Sequence, residues 1–149
     1  MITIKRGDIF DSKMDVLVNP VNCVGIMGKG LALEFKKRYP DMFQKYKLAC
    51  SNGDLKIANP YMVHCEKRNI LLFPTKNHWQ DNSKIEYIHY GLMYIALMTK
   101  YNGWGEVYRS YAFPALGCGL GGLHWPEVAG LMVKELVTLP IDEIEIYEP

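Results

Sequence analysis

The sequence predicts an α/β domain, a mixed sheet carrying helices on both faces. Three observations predict it. Short apolar, β-branched runs alternate along the chain with amphipathic helical stretches, the pattern of strands feeding crossover helices. Two glycine-rich segments each stand between such a run and a helical stretch. The 149 residues, 49% of them apolar and 22% charged, suffice for one hydrophobic core and hold no repeat, low-complexity tract or linker-like shift.

Ile2 to Lys5 reads as a short strand, after which Gly7-Asp8 turns. Asp15 to Asn19 is apolar and β-branched, a buried strand. Gly28-Lys29-Gly30 opens a helical stretch, Leu31 to Tyr39, which Pro40 ends. Asp41 to Cys50 is expected as a second helix with Asp41 as its N-cap. Tyr61 to Cys65 and Asn69 to Phe73 are expected as strands joined by the charged turn Glu66-Lys67-Arg68. Ser83 and Glu86 have the spacing of a capping box, opening a helix that runs to about Lys100.

Ile85, Ile88, Leu92, Ile95 and Thr99 fall on one side of that helix, and Tyr87, Tyr90, Tyr94 and Tyr101 on another. The expectation is a helix buried on more than one face, its tyrosines packed at the core edge rather than stacking bases. Tyr111 to Leu116 is the next strand. Trp125-Pro126-Glu127 begins a helix with proline near its first turn, and Val128, Leu131, Met132 and Leu136 give its inner side. Ile141 to Tyr147 alternates apolar and acidic residues, a last, half-exposed strand.

A net charge of +1 excludes a general polyanion binder, so any nucleic-acid contact must be a local patch. Cys23, Cys50, Cys65 and Cys118 are too sparse for a disulfide scaffold and form no C-x-x-C pair. Met1 to Lys5 lacks a signal-peptide pattern, and no apolar run approaches the ~18 residues of a membrane span. A cytoplasmic protein, with no membrane contact, is expected. His64, His78, His89 and His124 lack metal-ligand spacing, so no metal is expected.

The first glycine-rich segment runs from Asn19 through Asn22 to Gly28-Lys29-Gly30, and the second is Gly117-Cys118-Gly119-Leu120-Gly121-Gly122. Glycines let backbone N–H groups turn toward a ligand, and a following helix N-terminus adds partial positive charge. Two such loops at strand ends point to phosphate, and to a diphosphate above a single one. The first loop is not a Walker A motif, because Gly30 stands where a Mg²⁺-binding Ser or Thr belongs. Gly117, Gly119 and Gly122 satisfy G-x-G-x-x-G but come too late in the chain for a dinucleotide fold. Cys118 reads as a small buried hydrophobe rather than a nucleophile.

Phe73-Pro74-Thr75-Lys76-Asn77-His78-Trp79 follows an apolar strand. A lysine at a strand end beside apolar groups is partly desolvated, which favours a nucleophilic amine. That raises Lys76 above the other lysines. His78, Trp79 and Lys84 make a candidate patch for a single nucleic-acid strand, joining stacking to phosphate contact, with a solvated loop the equal alternative.

These residues together resemble a macrodomain. The succession is Lys5-Arg6-Gly7-Asp8-Ile9, Val18-Asn19-Pro20-Val21-Asn22, Gly25-Ile26-Met27-Gly28-Lys29-Gly30-Leu31-Ala32 and Gly117-Cys118-Gly119-Leu120. The resemblance covers residues 1–149 and implies a single macrodomain, a three-layer α/β/α fold with a mixed central sheet that binds ADP-ribose. Lys76 with its Thr75, and the stretch from Gly117 to Trp125, resemble the branch holding the terminal ADP-ribose protein glycohydrolase and the bacterial DNA ADP-ribosyl glycohydrolases.

That branch implies Lys76 as the catalytic residue, with Asn22 orienting the distal ribose beside Asn19. It implies Asp8 and Ile9 at the adenine amino group, Gly28, Lys29, Gly30 and Leu31 at the diphosphate, and Tyr147 packing near adenine. Gly117, Cys118, Gly119 and Leu120 would close over the diphosphate, beside Thr75. ADP-ribose is the implied ligand, with no cofactor, and the implied substrate is ADP-ribose on thymidine in single-stranded DNA.

A DNA-modifying ADP-ribosyltransferase toxin is the implied partner, and a monomer is expected. The protein-directed relative has an aspartate where this chain has Gly121, which favours the DNA substrate. Its DNA-directed relatives carry a further C-terminal domain that this sequence lacks, so a standalone protein or an excised domain is expected. The alternatives on the same pocket are release from protein Glu or Asp, or hydrolysis of O-acetyl-ADP-ribose or ADP-ribose-1″-phosphate. The alternative of another class is a reader that binds ADP-ribose without chemistry.

Overall fold

The computed structural model describes residues 1–149. Six strands form one sheet: β1 (Ile2–Lys5), β2 (Val16–Val21), β3 (Tyr61–His64), β4 (Asn69–Pro74), β5 (Ser110–Phe113) and β6 (Glu143–Tyr147). Their spatial order is β1-β6-β5-β2-β4-β3. Every neighbouring pair is parallel except β3 with β4, which is antiparallel. The helices are α1 (Gly30–Arg38), α2 (Pro40–Asn52), α3 (Ile85–Tyr101), the short α4 (Trp104–Val107) and α5 (Trp125–Leu136). None is long and apolar enough to cross a membrane.

Strand alternation divides the core in two. Val16, Val18, Leu71, Phe73, Tyr111, Phe113, Ile144 and Ile146 point to the face covered by α3 and α5. Leu17, Val21, Ile70, Leu72 and Ala112 point to the other, where they meet Phe35 of α1 and Met42, Tyr46 and Ala49 of α2. The result is three layers, helix, sheet, helix, as the sequence predicts. On the first face α3 approaches β4 so closely that a Cβ on Gly91 would overlap the Phe73 ring.

Several local expectations are corrected. Asp41 is not an N-cap: Tyr39 holds that position and Pro40 opens α2, where its missing N–H costs nothing. The capping box does not form, because Lys84 is the N-cap of α3 and Ser83 Oγ is buried without a partner. Ser83 is held instead by its N–H, which donates to Gly121 O at 2.9 Å. α3 buries one side only: Tyr90 and Tyr101 are 48% and 76% exposed, and Tyr94 rests edge-on against Trp104.

β6 is not half-exposed, since it lies between β1 and β5 and buries both faces. Its Glu145 accepts from Lys5 Nζ at 2.8 Å, Ser12 Oγ at 2.6 Å and the Tyr147 hydroxyl at 3.1 Å. Burial pushes the Glu145 carboxyl up, but these donors outweigh it and hold it below the ordinary glutamate range. A depressed folded value contributes stability that is present above about pH 4.3 and is lost as pH falls through the folded value. Denaturant titrations across that window are expected to show the loss in the wild type and a shallower one in Glu145→Gln. Equal slopes would remove Glu145 as its source.

Candidate functional site

A cavity of about 820 Å³ opens at the carboxyl edge of the parallel strands. Its position follows from the topology. β2 and β5 are adjacent and parallel, yet the chain leaves β2 for the α1 face and β5 for the α5 face. A crevice forms where the two connections part. The walls come from the residues after each strand: Asp8 beyond β1, Asn22 beyond β2, Thr75 and Lys76 beyond β4, Ala115 beyond β5, and Tyr147 with Glu148 at the end of β6.

The first glycine loop, between β2 and α1, is held by its own asparagine. Asn22 Nδ2 donates to Ile26 O at 2.7 Å, and Asn22 Oδ1 accepts from Val24 N–H at 3.0 Å and the Tyr46 hydroxyl at 2.7 Å. The same hydroxyl lies 2.9 Å from Asn22 O. Burial first, then Cys50, pushes the Tyr46 phenol far above its usual range, so it stays a neutral donor. Asn22 therefore spends its amide oxygen on loop shape and keeps one amide hydrogen uncommitted.

The sequence reading missed Tyr46. It shares a buried helix side with Met42 and Ala49, so its spacing signals core and nothing more. Tyr46→Phe would leave buried acceptors on Asn22 short of a donor. The expected loss is about 1–3 kcal/mol in denaturant unfolding, and a change within 0.3 kcal/mol, about the limit of additivity error, would refute the anchoring role.

Beyond this anchor the N–H groups of Gly28, Lys29, Gly30, Leu31 and Ala32 have no acceptor within the chain, as the open start of α1 requires. The second glycine loop, between β5 and α5, is folded by Cys118 N–H to Ala115 O at 3.1 Å and Leu123 N–H to Gly117 O at 2.9 Å. Gly117 has φ +72°, and a Cβ there would stand 2.7 Å from Leu123 Cδ1. The N–H groups of Gly119, Leu120 and Gly121 are likewise left without acceptors. The loops meet across the crevice, where a Cβ on Gly30 would lie 3.4 Å from Leu120 Cδ1. Two sets of unpaired donors and one helix N-terminus thus share one cavity, an arrangement that favours an anionic ligand.

Lys76 is half-buried, and its ammonium donates to Trp79 O at 3.2 Å. The turn from His78 to Asp81 is tied by His78 N–H to Asp81 Oδ2 and Gln80 N–H to His78 Nδ1, each 3.2 Å. It presents Trp79 at the cavity mouth, 43% exposed, with the His78 ring 5.4 Å behind it. Burial pushes the Cys118 thiol up, and burial with Cys50 pushes Cys23 up to about 11, so neither offers a ready thiolate.

Asp8, Ile9, Asn22, Gly28, Lys29, Gly30, Leu31, Thr75, Lys76, Trp79, Gly117 to Leu120, and Tyr147 all line the cavity. Asn19 does not. It is fully buried below the first loop, its Nδ2 3.8 Å from Met42 Sδ and 4.0 Å from Met27 Sδ. Alternation along β2 turns it into the α1–α2 layer rather than up to the crevice. His78 backs Trp79 without lining the cavity, and Lys84 stands apart, its ammonium 5.7 Å from the Tyr87 ring.

Residues 18–132 match the family profile described as Macro domain. The chain is 42% identical, along its whole length, to the DNA ADP-ribosyl glycohydrolase of Mycobacterium tuberculosis, and spans 42% of that protein's length. The solved macrodomain of Mycobacterium tuberculosis DarG is 40% identical with a TM-score of 0.92, covering 100% of this chain and 98% of that one. The structure of Thermosipho africanus DarTG in complex with ADP-ribose is 39% identical with a TM-score of 0.92, covering 99% of this chain and 41% of that one.

Proposed function

Because this chain belongs to the Macro domain family, we propose that it is a DNA ADP-ribosyl glycohydrolase domain. It binds ADP-ribose along the crevice and cleaves the bond between C1″ of the distal ribose and a thymidine base in single-stranded DNA. One observation carries the reading: the order of the lining residues along the sheet edge. Asp8 and Tyr147 close the β1–β6 end, the two glycine loops stand over β5 and β2, and Lys76 stands over β4. From β1 to β4 is four strand spacings, roughly 19 Å. The span suits an elongated ligand with its diphosphate in the middle. Adenine then lies beside Asp8 and Tyr147, and the distal ribose faces Thr75 and Lys76.

Asp8 Oδ1 accepts from Phe10 N–H at 2.9 Å, which leaves Oδ2 for the adenine amino group. The unpaired donors of both loops fix the diphosphate, so binding energy remote from the reaction holds C1″ at Lys76. The Lys76 amine attacks C1″. The bond to the base breaks, its electron pair leaves on the base, and the base takes up a proton. Water then adds to C1″, returns a proton to the amine and frees ADP-ribose. Asn22, through its one free amide hydrogen, orients the distal ribose. Trp79 stacks on the departing base at the mouth.

A DNA ADP-ribosyltransferase is the reaction class that must supply such a substrate. The test is release of free ADP-ribose from an oligonucleotide carrying thymidine-linked ADP-ribose. Release supports the reading. Binding of ADP-ribose without release overturns the DNA activity and directs assays to protein esters, O-acetyl-ADP-ribose and ADP-ribose-1″-phosphate, or, if none turns over, to a reader.

A further inference from the structure

The charge of this chain is unevenly placed. Residues 29–47 carry six lysines and arginines against Glu34 and Asp41, a net +4, while the whole chain is only +1. Part of that charge is spent locally. Lys37 pairs with Glu34 at 3.6 Å, Lys45 donates to His64 O at 3.0 Å, and Arg38 covers the Phe10 ring. Lys36 and Lys47 have no carboxylate partner. Both sit over the same half-buried ring, with their ammonium nitrogens 4.3 Å and 5.7 Å from the Phe43 centroid. A cation over an aromatic face keeps its full charge while losing some of its freedom.

This pair adjoins the cavity mouth through contacts that can be followed one by one. Trp79 lies on the turn after Asn77, and Asn77 O accepts from Cys23 N–H at 2.9 Å. Cys23 leads into Gly25, where a Cβ would stand 3.8 Å from Lys47 Cγ. From Lys47 the Phe43 ring leads to Lys36. We infer that Lys47 and Lys36 form a phosphate-binding track for the single DNA strand that carries the modified base, leading from Trp79 across the Gly25 turn onto the face shared by α1 and α2. The strand is a polyanion, and Lys36 and Lys47 are two cations without a carboxylate partner, held in place over Phe43 beyond Lys29 of the cavity wall. The inference rests on the DNA reading above, and it names the path by which the rest of the strand leaves the site.

The test compares the wild type with Lys36→Gln/Lys47→Gln, which removes both charges and leaves unbranched polar side chains. Two substrates are used: an ADP-ribosylated single strand of about 16 nucleotides, and ADP-ribosylated thymidine without flanking phosphates. On the oligonucleotide, kcat/KM of the variant is expected to fall about tenfold, and its dependence on log salt to become shallower by about 1.4, or 0.7 per lost phosphate contact. On the nucleoside the two proteins should agree. Equal salt slopes, or equal losses on both substrates, overturn the track. Should the wild type release nothing from DNA, the DNA reading fails separately. Fluorescence anisotropy with unmodified oligothymidylate of the same length then decides the track: a shallower salt slope in the variant supports it, and identical slopes overturn it.

Discussion

Lys76→Ala is expected to lower release of ADP-ribose from the DNA conjugate by roughly 10³-fold or more, while the protein still folds and binds ADP-ribose. The structure makes those effects separable. Lys76 lies beyond β4 on a loop, and its ammonium meets the protein at a single solvent-exposed carbonyl, Trp79 O. Removing it leaves no buried charge and no large cavity. The diphosphate would still meet the unpaired N–H groups from Gly28 to Ala32 and from Gly119 to Gly121. Calorimetry with ADP-ribose is therefore expected to agree with the wild type within about threefold, or 0.65 kcal/mol.

Lys76→Arg sharpens the test. Arginine keeps the positive charge but its guanidinium is not a nucleophile at neutral pH. If the lysine acts only by attracting the diphosphate or a developing negative charge, arginine should restore much of the rate. If its amine forms the bond to C1″, arginine should be as inactive as alanine. Substantial activity in Lys76→Arg, or retained turnover in Lys76→Ala, would end the amine mechanism.

The parts of the molecule legible in the sequence are those in which local chemistry and tertiary role agree. The strands Leu17, Ile70 and Ala112 belong to are apolar because they are covered on both faces, and parallel strands so covered read as unbroken hydrophobic runs. The glycine loops are visible because the left-handed φ of +72° at Gly117 and +59° at Gly30 favours glycine. What was hidden depends on partners distant in sequence. Glu145 reads as an exposed acid until Lys5 and Ser12 are brought to it from the other end of the chain. Asn19 and Asn22 read as a pair of ligand-facing amides, but β2 ends between them, so one turns under the first loop and the other sits in it. Tyr46 carries no signal apart from its core spacing. Ser83 and Glu86 obey a local rule that fails because the second glycine loop draws Ser83 away.

Gly121→Asp is expected to disable the site rather than give it a second catalytic acid. In the resemblance set out above, an aspartate at this position belongs to the protein-directed enzyme, so the substitution is the obvious graft. Here a Cβ on Gly121 would stand 2.5 Å from Gly117 O and would overlap Ser83 Oγ. Gly117 O is not free to move, because it accepts from Leu123 N–H, and Gly121 O accepts from Ser83 N–H. The aspartate must therefore displace the loop whose N–H groups at Gly119, Leu120 and Gly121 are proposed to hold the diphosphate. Overpacking of this kind costs roughly 1–3 kcal/mol, and the same energy taken from the bound loop weakens ADP-ribose about 5- to 150-fold. Ser83→Ala in the same chain relieves only the hydroxyl contact, since the clash with the Gly117 backbone stays. The double variant is therefore expected to remain at least tenfold weaker than the wild type and to gain no activity on ADP-ribosylated glutamate. Wild-type affinity in Gly121→Asp would mean that the loop yields without cost, and the absence of an acid here would then need a chemical reason rather than a steric one.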